Sequence, residues 1–244
     1  SMATIPEVFR EVESGACHYG VVPIENSSEG IISHTLDTFI RSNLNICGEV
    51  SLRIHQHLLS KATALNQIQR VYSHPQSLAQ CHRWLDRCLP QATRLTLSSN
   101  AEAARLVSQS DPQDAAIAGT TAAELYTLKI LASNIEDEPS NTTRFLVIGK
   151  NDTAASGTDK TSLLLACPNK VGGLHGLLTP LVNEGISMTR IESRPSRSNL
   201  WEYVFFIDLE GHKTDPQVVR AFNILKAQTS LFRILGSYPA AETL

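Results

Sequence analysis

Lys150-Asn151-Asp152-Thr153-Ala154-Ala155-Ser156-Gly157-Thr158-Asp159-Lys160 has almost no apolar content and carries turn formers, so it reads as a linker between two sequences of different rhythm. After it come strand 162–167, helix 172–182, strand 186–192, strand 200–209, helix 216–227 and strand 232–235, the βαββαβ order of a ferredoxin-like domain. The expected hairpin turn is Pro195-Ser196-Arg197-Ser198-Asn199. Trp201, Tyr203, Phe205 and Ile207 follow it at period two, which predicts an apolar sheet face with Phe205 and Ile207 under helices. Before the linker, short apolar strands alternate with longer helical patterns, the signature of an α/β domain with a mainly parallel sheet.

Four strand-to-helix junctions in this first domain are polar. Strand 19–24 meets Glu25-Asn26-Ser27-Ser28, where Asn26 or Ser27 is expected to cap a helix through Ile32, Leu36 and Phe39. Strand 69–72 meets Ser73-His74-Pro75-Gln76, with Pro75 suited to a first helical position. Strand 95–97 meets Ser98-Ser99-Asn100, and strand 115–118 meets Gly119-Thr120-Thr121. Ligand crevices of open α/β sheets lie at the carboxyl ends of the strands, and helix N-termini there favour a small anion. For any one junction, ordinary capping explains the residues equally well.

With 244 residues the chain has room for two domains, expected at 1–150 and 161–244 with a linker at 151–160. A net charge of -3 and the lack of a basic tract exclude a nucleic-acid partner. No apolar run reaches the length of a membrane span and no signal-peptide pattern opens the chain, so a cytoplasmic location is expected. The five cysteines, at 17, 47, 81, 88 and 167, lack Cys-x-x-Cys spacing and read as buried small hydrophobes, with Cys81 and Cys88 on one helical stripe. His55 and His57 alternate with apolar residues as if facing solvent or a seam. No cluster has zinc or magnesium spacing. Ser1 before Met2 reads as a cloning remnant, and no strand precedes the helix-like stretch 7–13, so the first domain is expected to lack its N-terminal strand.

Gly20-Val21-Val22-Pro23-Ile24-Glu25-Asn26-Ser27, Ser73-His74-Pro75-Gln76 with Gln80-Cys81, and Asn141-Thr142-Thr143-Arg144-Phe145 occur in the order of three motifs of the prephenate dehydratase family, which the chain resembles. The match is close to the dehydratase part of bacterial bifunctional chorismate mutase/prephenate dehydratases. The second domain is similar to that family's ACT regulatory domain, through Gly172-Gly173-Leu174-His175 and Glu192-Ser193-Arg194-Pro195. Val171 and Gly173 depart from the proline and alanine the family often has there.

The resemblance implies a periplasmic-binding-protein-like (type II) catalytic domain of two subdomains, followed by a ferredoxin-like ACT domain. It implies the conversion of prephenate, a small anion, to phenylpyruvate without a cofactor, under inhibition by L-phenylalanine, in a homodimer or dimer of dimers. An arogenate dehydratase and a non-catalytic phenylalanine sensor are the alternatives. Thr143, Arg144 and Glu25 are the implied catalytic residues. Asn26, Ser27, Ser28, Ser73, His74, Gln76, Asn100 and Phe145 are expected to contact substrate. Gly172, Gly173, Leu174, His175, Glu192, Ser193, Arg194 and Pro195 are expected to bind phenylalanine. An alcohol is a weak acid near neutral pH, so Thr143 is expected to donate a hydrogen bond to the leaving oxygen, with Glu25 or His74 as proton reservoir.

Overall fold

Residues 2, 4–28, 30–167, 171–195 and 203–241 are described by the computed structural model and fall into two packing units, Ser1–Leu52 with Thr143–Leu244, and Arg53–Thr142. Residues 196–199 of the expected hairpin turn, and Trp201, lie outside the described residues.

Thr4 opens helix α1 (Ile5–Ser14) with a capping box completed by Glu7. Gly15, at φ 84°, ends it in the left-handed conformation that costs glycine nothing. Strand β1 (Tyr19–Asn26) leads through the short β2 (Gly30–Ile31) to α2 (Ser33–Arg41) and then to β3 (Asn45–Arg53). Phe9 of α1 meets Phe39 of α2 edge-on, with ring centroids 4.9 Å apart. The expected helix cap at Asn26 or Ser27 is not formed. Asn26 ends the strand, β2 folds back onto β1 with Ile31 opposite Glu25, and α2 begins at Ser33. Asn26 Oδ1 instead accepts from the Ser28 N–H at 2.9 Å, so the same residue types make a turn.

The second unit holds β4 (His57–Ser60), β5 (Arg70–Ser73), α3 (Pro75–Gln80), α4 (His82–Cys88), β6 (Thr93–Thr96), α5 (Asn100–Gln109), β7 (Asp114–Ala118), α6 (Thr120–Leu125) and β8 (Lys129–Ala132). Its sheet has the order β6-β5-β7-β4-β8, with β5 parallel to β6 and β7, and β4 antiparallel to β7 and β8. Every residue of β7 is buried. Ala115 and Ile117 join Leu78, Cys81 and Leu85 on one face, while Ala116 and Ala118 meet Ala103, Ala104 and Val107 on the other. Small side chains on both partners let α5 lie close to the sheet.

The helical stripe expected through Cys81 and Cys88 breaks at Cys81, between α3 and α4. Cys81 sits in the core, and burial foremost, with Asp137 and Glu136 adding, pushes its thiol up to about 12. The other four cysteines are only half-buried, so the reading of all five as core residues holds for Cys81 alone.

The chain returns to the first unit along β9 (Thr142–Gly149), giving a sheet of order β2-β1-β9-β3 in which β1 runs antiparallel to both neighbours. The expectation of a mainly parallel sheet is therefore met only around β5. Next come β10 (Asp159–Ala166), α7 (Gly173–Asn183), β11 (Met188–Pro195), β12 (Tyr203–Glu210), α8 (Pro216–Gln228) and β13 (Leu231–Pro239), in sheet order β11-β12-β10-β13 with antiparallel pairing throughout. This is the ferredoxin-like arrangement the sequence predicts.

Both faces of this sheet are covered. Leu163, Leu165, Phe205 and Ile207 pack with Leu177, Leu181, Val218 and Phe222 of the helices, as expected for Phe205 and Ile207. Leu164, Val204, Phe206 and Leu235 share a core with Val22, Phe39 and Leu146. Gly236 of β13 presses on the Ile46 backbone of β3, where a Cβ would overlap the carbonyl oxygen. Gly236→Ala is therefore expected to destabilise the chain by about 1–3 kcal/mol. Urea denaturation should show a lower midpoint at unchanged slope, and an unchanged midpoint would mean that this close approach is not needed.

Candidate functional site

Strands β1 and β9 pair with one irregularity that sets the site. Pro23 lies opposite Phe145, but Glu25 lies opposite Arg144, so Ile24 is an extra residue in β1. Proline has no N–H to give the ladder, and a bulge beside it is the usual accommodation. The extra residue shifts the phase of β1, so that Glu25 shares a face with Arg144 and Asn26 shares the opposite face with Thr143.

On that second face, Asn26 Nδ2 donates to Thr143 Oγ1 at 2.8 Å, and both residues are buried. The orientation of the amide follows from its other end, because Oδ1 is committed to the Ser28 N–H. With Thr143 Oγ1 accepting from Asn26, its own proton is directed elsewhere. Ser27 and Ser28 form the exposed turn after the strand, and Phe145 is half-buried.

On the first face, Arg144 does not present a free guanidinium to a carboxylate ligand. Nε donates to Glu49 at 2.6 Å, Nη1 to Glu25 at 3.1 Å and to Asp208 at 2.8 Å, and Nη2 to the Tyr238 hydroxyl at 3.2 Å. Those bonds occupy four of the five guanidinium N–H groups. A ring of bonds closes the cluster. Asp208 can only accept, so Ser162 donates to it at 2.6 Å, Tyr238 donates to Ser162 at 2.7 Å, and Arg144 donates to Tyr238. Burial alone would lower the Arg144 pKa, but Asp208, Tyr238 and Glu49 outweigh it and raise it, so the guanidinium stays charged. Burial, aided by Asp208, raises the Tyr238 phenol and keeps its proton on.

Lys160 bonds Glu49 at 2.7 Å, and Arg190 lies 3.5 Å from Glu25 and 3.8 Å from Asp208. Three cations therefore balance three carboxylates. Glu25, expected as a proton reservoir, is the partner of two arginines here.

In the second unit, Ser73, His74 and Asn100 are brought together. Ser73 Oγ lies 2.8 Å from Asn100 Oδ1 and from the Ile117 carbonyl, and the His74 N–H donates to Asn100 Oδ1 at 3.1 Å. Asn100 Nδ2 donates to Ser77 at 2.8 Å, and Gln56 Nε2 reaches the same hydroxyl at 3.3 Å. The His74 ring caps α3, Nδ1 accepting from the Gln76 N–H at 3.3 Å, so that nitrogen acts as an acceptor.

Nearby in sequence, His55 bonds Glu136 at 2.8 Å and is partly exposed, whereas His57 is buried, so of the two positions expected at solvent or a seam only that of His55 reaches solvent. The Asn134 N–H donates to His57 Nδ1 at 3.1 Å, which leaves the proton on Nε2, pointing at Thr120. Burial lowers the His57 pKa, Glu136 opposes this and His55 adds to it.

Of the residues expected to bind phenylalanine, Gly172 caps α7 at φ 76°, and Gly173, Leu174 and His175 form the first turn. Glu192, Ser193, Arg194 and Pro195 end the edge strand β11. Arg194 is engaged by α2: Nη2 donates to Asp37 at 2.9 Å and Nη1 to Ser33 at 3.1 Å. Glu49, Lys160, Ser162, Arg190, Asp208 and Tyr238 were not anticipated. A signal existed for one of them, since Asp208 interrupts the apolar run Phe205-Phe206-Ile207 in a strand buried on both faces. Among the described residues no group of three or more acidic, histidine or cysteine side chains is placed to hold a metal, and no helix is long and apolar enough to cross a membrane.

A family model for "Prephenate dehydratase" matches residues 1–153, and one for "ACT domain" matches residues 161–227. A bifunctional chorismate mutase/prephenate dehydratase of Neisseria gonorrhoeae is 54% identical over 240 residues, covering 98% of this chain and 66% of that protein. The chain thus spans a little under two thirds of such relatives. The crystal structure of prephenate dehydratase from Arthrobacter aurescens in complex with L-Phe superposes with a TM-score of 0.90 at 33% identity, covering 100% of this chain and 82% of the other. The structure of GqqA, described as a novel type of quorum-quenching acylase, superposes with a TM-score of 0.88 at 29% identity, covering 98% of this chain and 88% of the other.

Proposed function

Because this chain belongs to the prephenate dehydratase family, we propose that it converts prephenate to phenylpyruvate and that L-phenylalanine inhibits it through the ACT domain. In this reaction the ring carboxylate leaves as carbon dioxide, its bonding electrons enter the ring, and the ring hydroxyl departs with a proton as water. Aromatisation drives it, so the protein's work is to hold the substrate, assist the leaving oxygen and exclude water.

The observation that carries the proposal is the Thr143 hydroxyl. Asn26 fills its acceptor side at 2.8 Å, so its proton is free to meet the departing oxygen. Thr143 is the catalytic residue of this reading, with Asn26 orienting it. Ser27, Ser28, Ser73, His74, Gln76, Asn100 and Phe145 are proposed to contact substrate, and Arg144 and Glu25 to act by positioning. Residues 172–175 and 192–195 are proposed to take phenylalanine. The edge position of β11 supports pairing with a second copy, hence a homodimer or a dimer of dimers. A cytoplasmic location completes the proposal.

Acyl transfer through a side-chain nucleophile would need a base beside that group. Thr143 receives an N–H donor instead, which favours the dehydratase reading. Timed assays of the native protein on prephenate and on arogenate, with and without L-phenylalanine, test the proposal. Phenylpyruvate should form from prephenate, and phenylalanine should slow it. Conversion of arogenate alone would make the enzyme an arogenate dehydratase, and conversion of neither with phenylalanine still bound would leave a sensor.

A further inference from the structure

Neighbouring residues of β9 have opposite attachments. Thr143 is bonded to Asn26 of β1, while Arg144 is held by Asp208 of β12 and Tyr238 of β13 as well as by Glu25 and Glu49. One planar peptide joins them, so a displacement of Arg144 is passed to Thr143 with little loss. Asp208 is firmly tied to its own sheet through Ser162 at 2.6 Å, and can therefore transmit movement of that sheet.

Arg190 supplies the competing attachment. It lies opposite Asp208 across β11 and β12, 3.8 Å from the same Oδ2 that Arg144 holds and 3.5 Å from Glu25 Oε2. Yet Arg190 Nε and Nη2 are buried and make no hydrogen bond. Buried donors left without acceptors are costly, and the acceptors within reach are the carboxylates already bonded to Arg144. Two guanidinium groups thus face one pair of carboxylates, with Arg144 bonded to both and Arg190 Nε and Nη2 to neither. Handing Asp208 from Arg144 to Arg190 would be a second arrangement of the same groups.

We propose that Asp208 is a positioning residue for the dehydration: by holding Arg144 it seats Thr143 against Asn26, and a shift of the C-terminal sheet that passes Asp208 to Arg190 withdraws that seat. The link to turnover rests on the dehydratase reading, whereas the link to Thr143 does not. It also gives phenylalanine a route to the reaction from the C-terminal domain, since an effector inhibits by binding one of two arrangements better.

The test follows the Thr143 methyl group by NMR in threonine-labelled native protein, its signal assigned from Thr143→Ser, beside steady-state kinetics on prephenate. Asp208→Asn keeps the acceptor for Ser162 but removes the charge that holds Arg144. It should move the Thr143 methyl signal and lower kcat by roughly tenfold with KM nearly unchanged, because misplacement of a reacting group acts on the chemical step. Phenylalanine should move that signal in the parent and no longer do so in the variant. Thr161→Val, a change on the same sheet outside the cluster, should leave both signal and kcat alone. If Asp208→Asn does not fold, Arg190→Gln is read in its place and should abolish the response to phenylalanine. A Thr143 signal unmoved in folded Asp208→Asn, one that still responds to phenylalanine in Arg190→Gln, or one moved equally by Thr161→Val overturns the proposal. A parent that turns over neither substrate while its Thr143 signal responds to Asp208→Asn would instead sink the dehydratase reading and leave the positioning inference standing.

Discussion

Thr143→Ala is expected to lower dehydratase turnover by roughly 10²–10⁴-fold, the range for removing a group that assists proton transfer to a leaving atom. Folding should be little affected. The lost contact is a single hydrogen bond from Asn26, worth about 1 kcal/mol, and Asn26 keeps its bond to the Ser28 N–H. KM should change less than kcat, because the hydroxyl matters most where charge develops on the departing oxygen. Thr143→Ser preserves the hydroxyl and the Asn26 bond, so it should keep most of the turnover. Parental kcat in folded Thr143→Ala would remove Thr143 from the chemistry and move the search to the Ser73 and Asn100 group.

The C-terminal fold was legible because its signal is local. Period-two strands such as Tyr203–Glu210, and helices with a proline start at Pro216 and a glycine cap at Gly172, each state their own structure within a few residues. The turn at Asn26-Ser27-Ser28 was misread for an equally local reason. Asparagine and serine satisfy backbone N–H groups in helix caps and in turns alike, and the choice between them was made by β2 folding back on β1. The bulge at Ile24, which decides that Asn26 and not Glu25 faces Thr143, depends on a partner strand far along the chain.

The resemblance placed Asn26 and Thr143 among the residues of one site, but it gave neither their hydrogen bond nor the attachments of Arg144. Its partners Asp208, Tyr238, Glu49 and Glu25 are 64, 94, 95 and 119 residues away in sequence. Nothing near Thr143-Arg144-Phe145 distinguishes an arginine that clamps a substrate carboxylate from one that joins two sheets. The distinction lies in tertiary burial alone, where charged side chains survive only when paired.

Arg144→Met is expected to cost about 3–5 kcal/mol of stability, the range for breaking a buried ion pair from one side. The reason lies in what is left behind. Glu49 and Asp208 keep side-chain exposures of only 1% and 4%, and without Arg144 the cluster holds three carboxylates against Lys160 and Arg190. Methionine fills the arginine stem but answers none of the acceptors, so Glu49, Glu25 and Asp208 each lose one charged hydrogen bond. Lys160 offers the contrast. Its side chain is 22% exposed and bonds Glu49 alone, and Glu49 would still accept from Arg144 and from the Ala241 N–H at 3.0 Å. Lys160→Met should therefore cost no more than about 1–2 kcal/mol, close to what a hydrogen bond to a charged group contributes. Denaturant midpoints of the two variants measured together decide the matter. A clear excess for Arg144→Met places the energy in the shared burial of Glu49 and Asp208, whereas equal losses would mean that the cluster is a set of independent pairs and that Arg144 does not couple the two sheets.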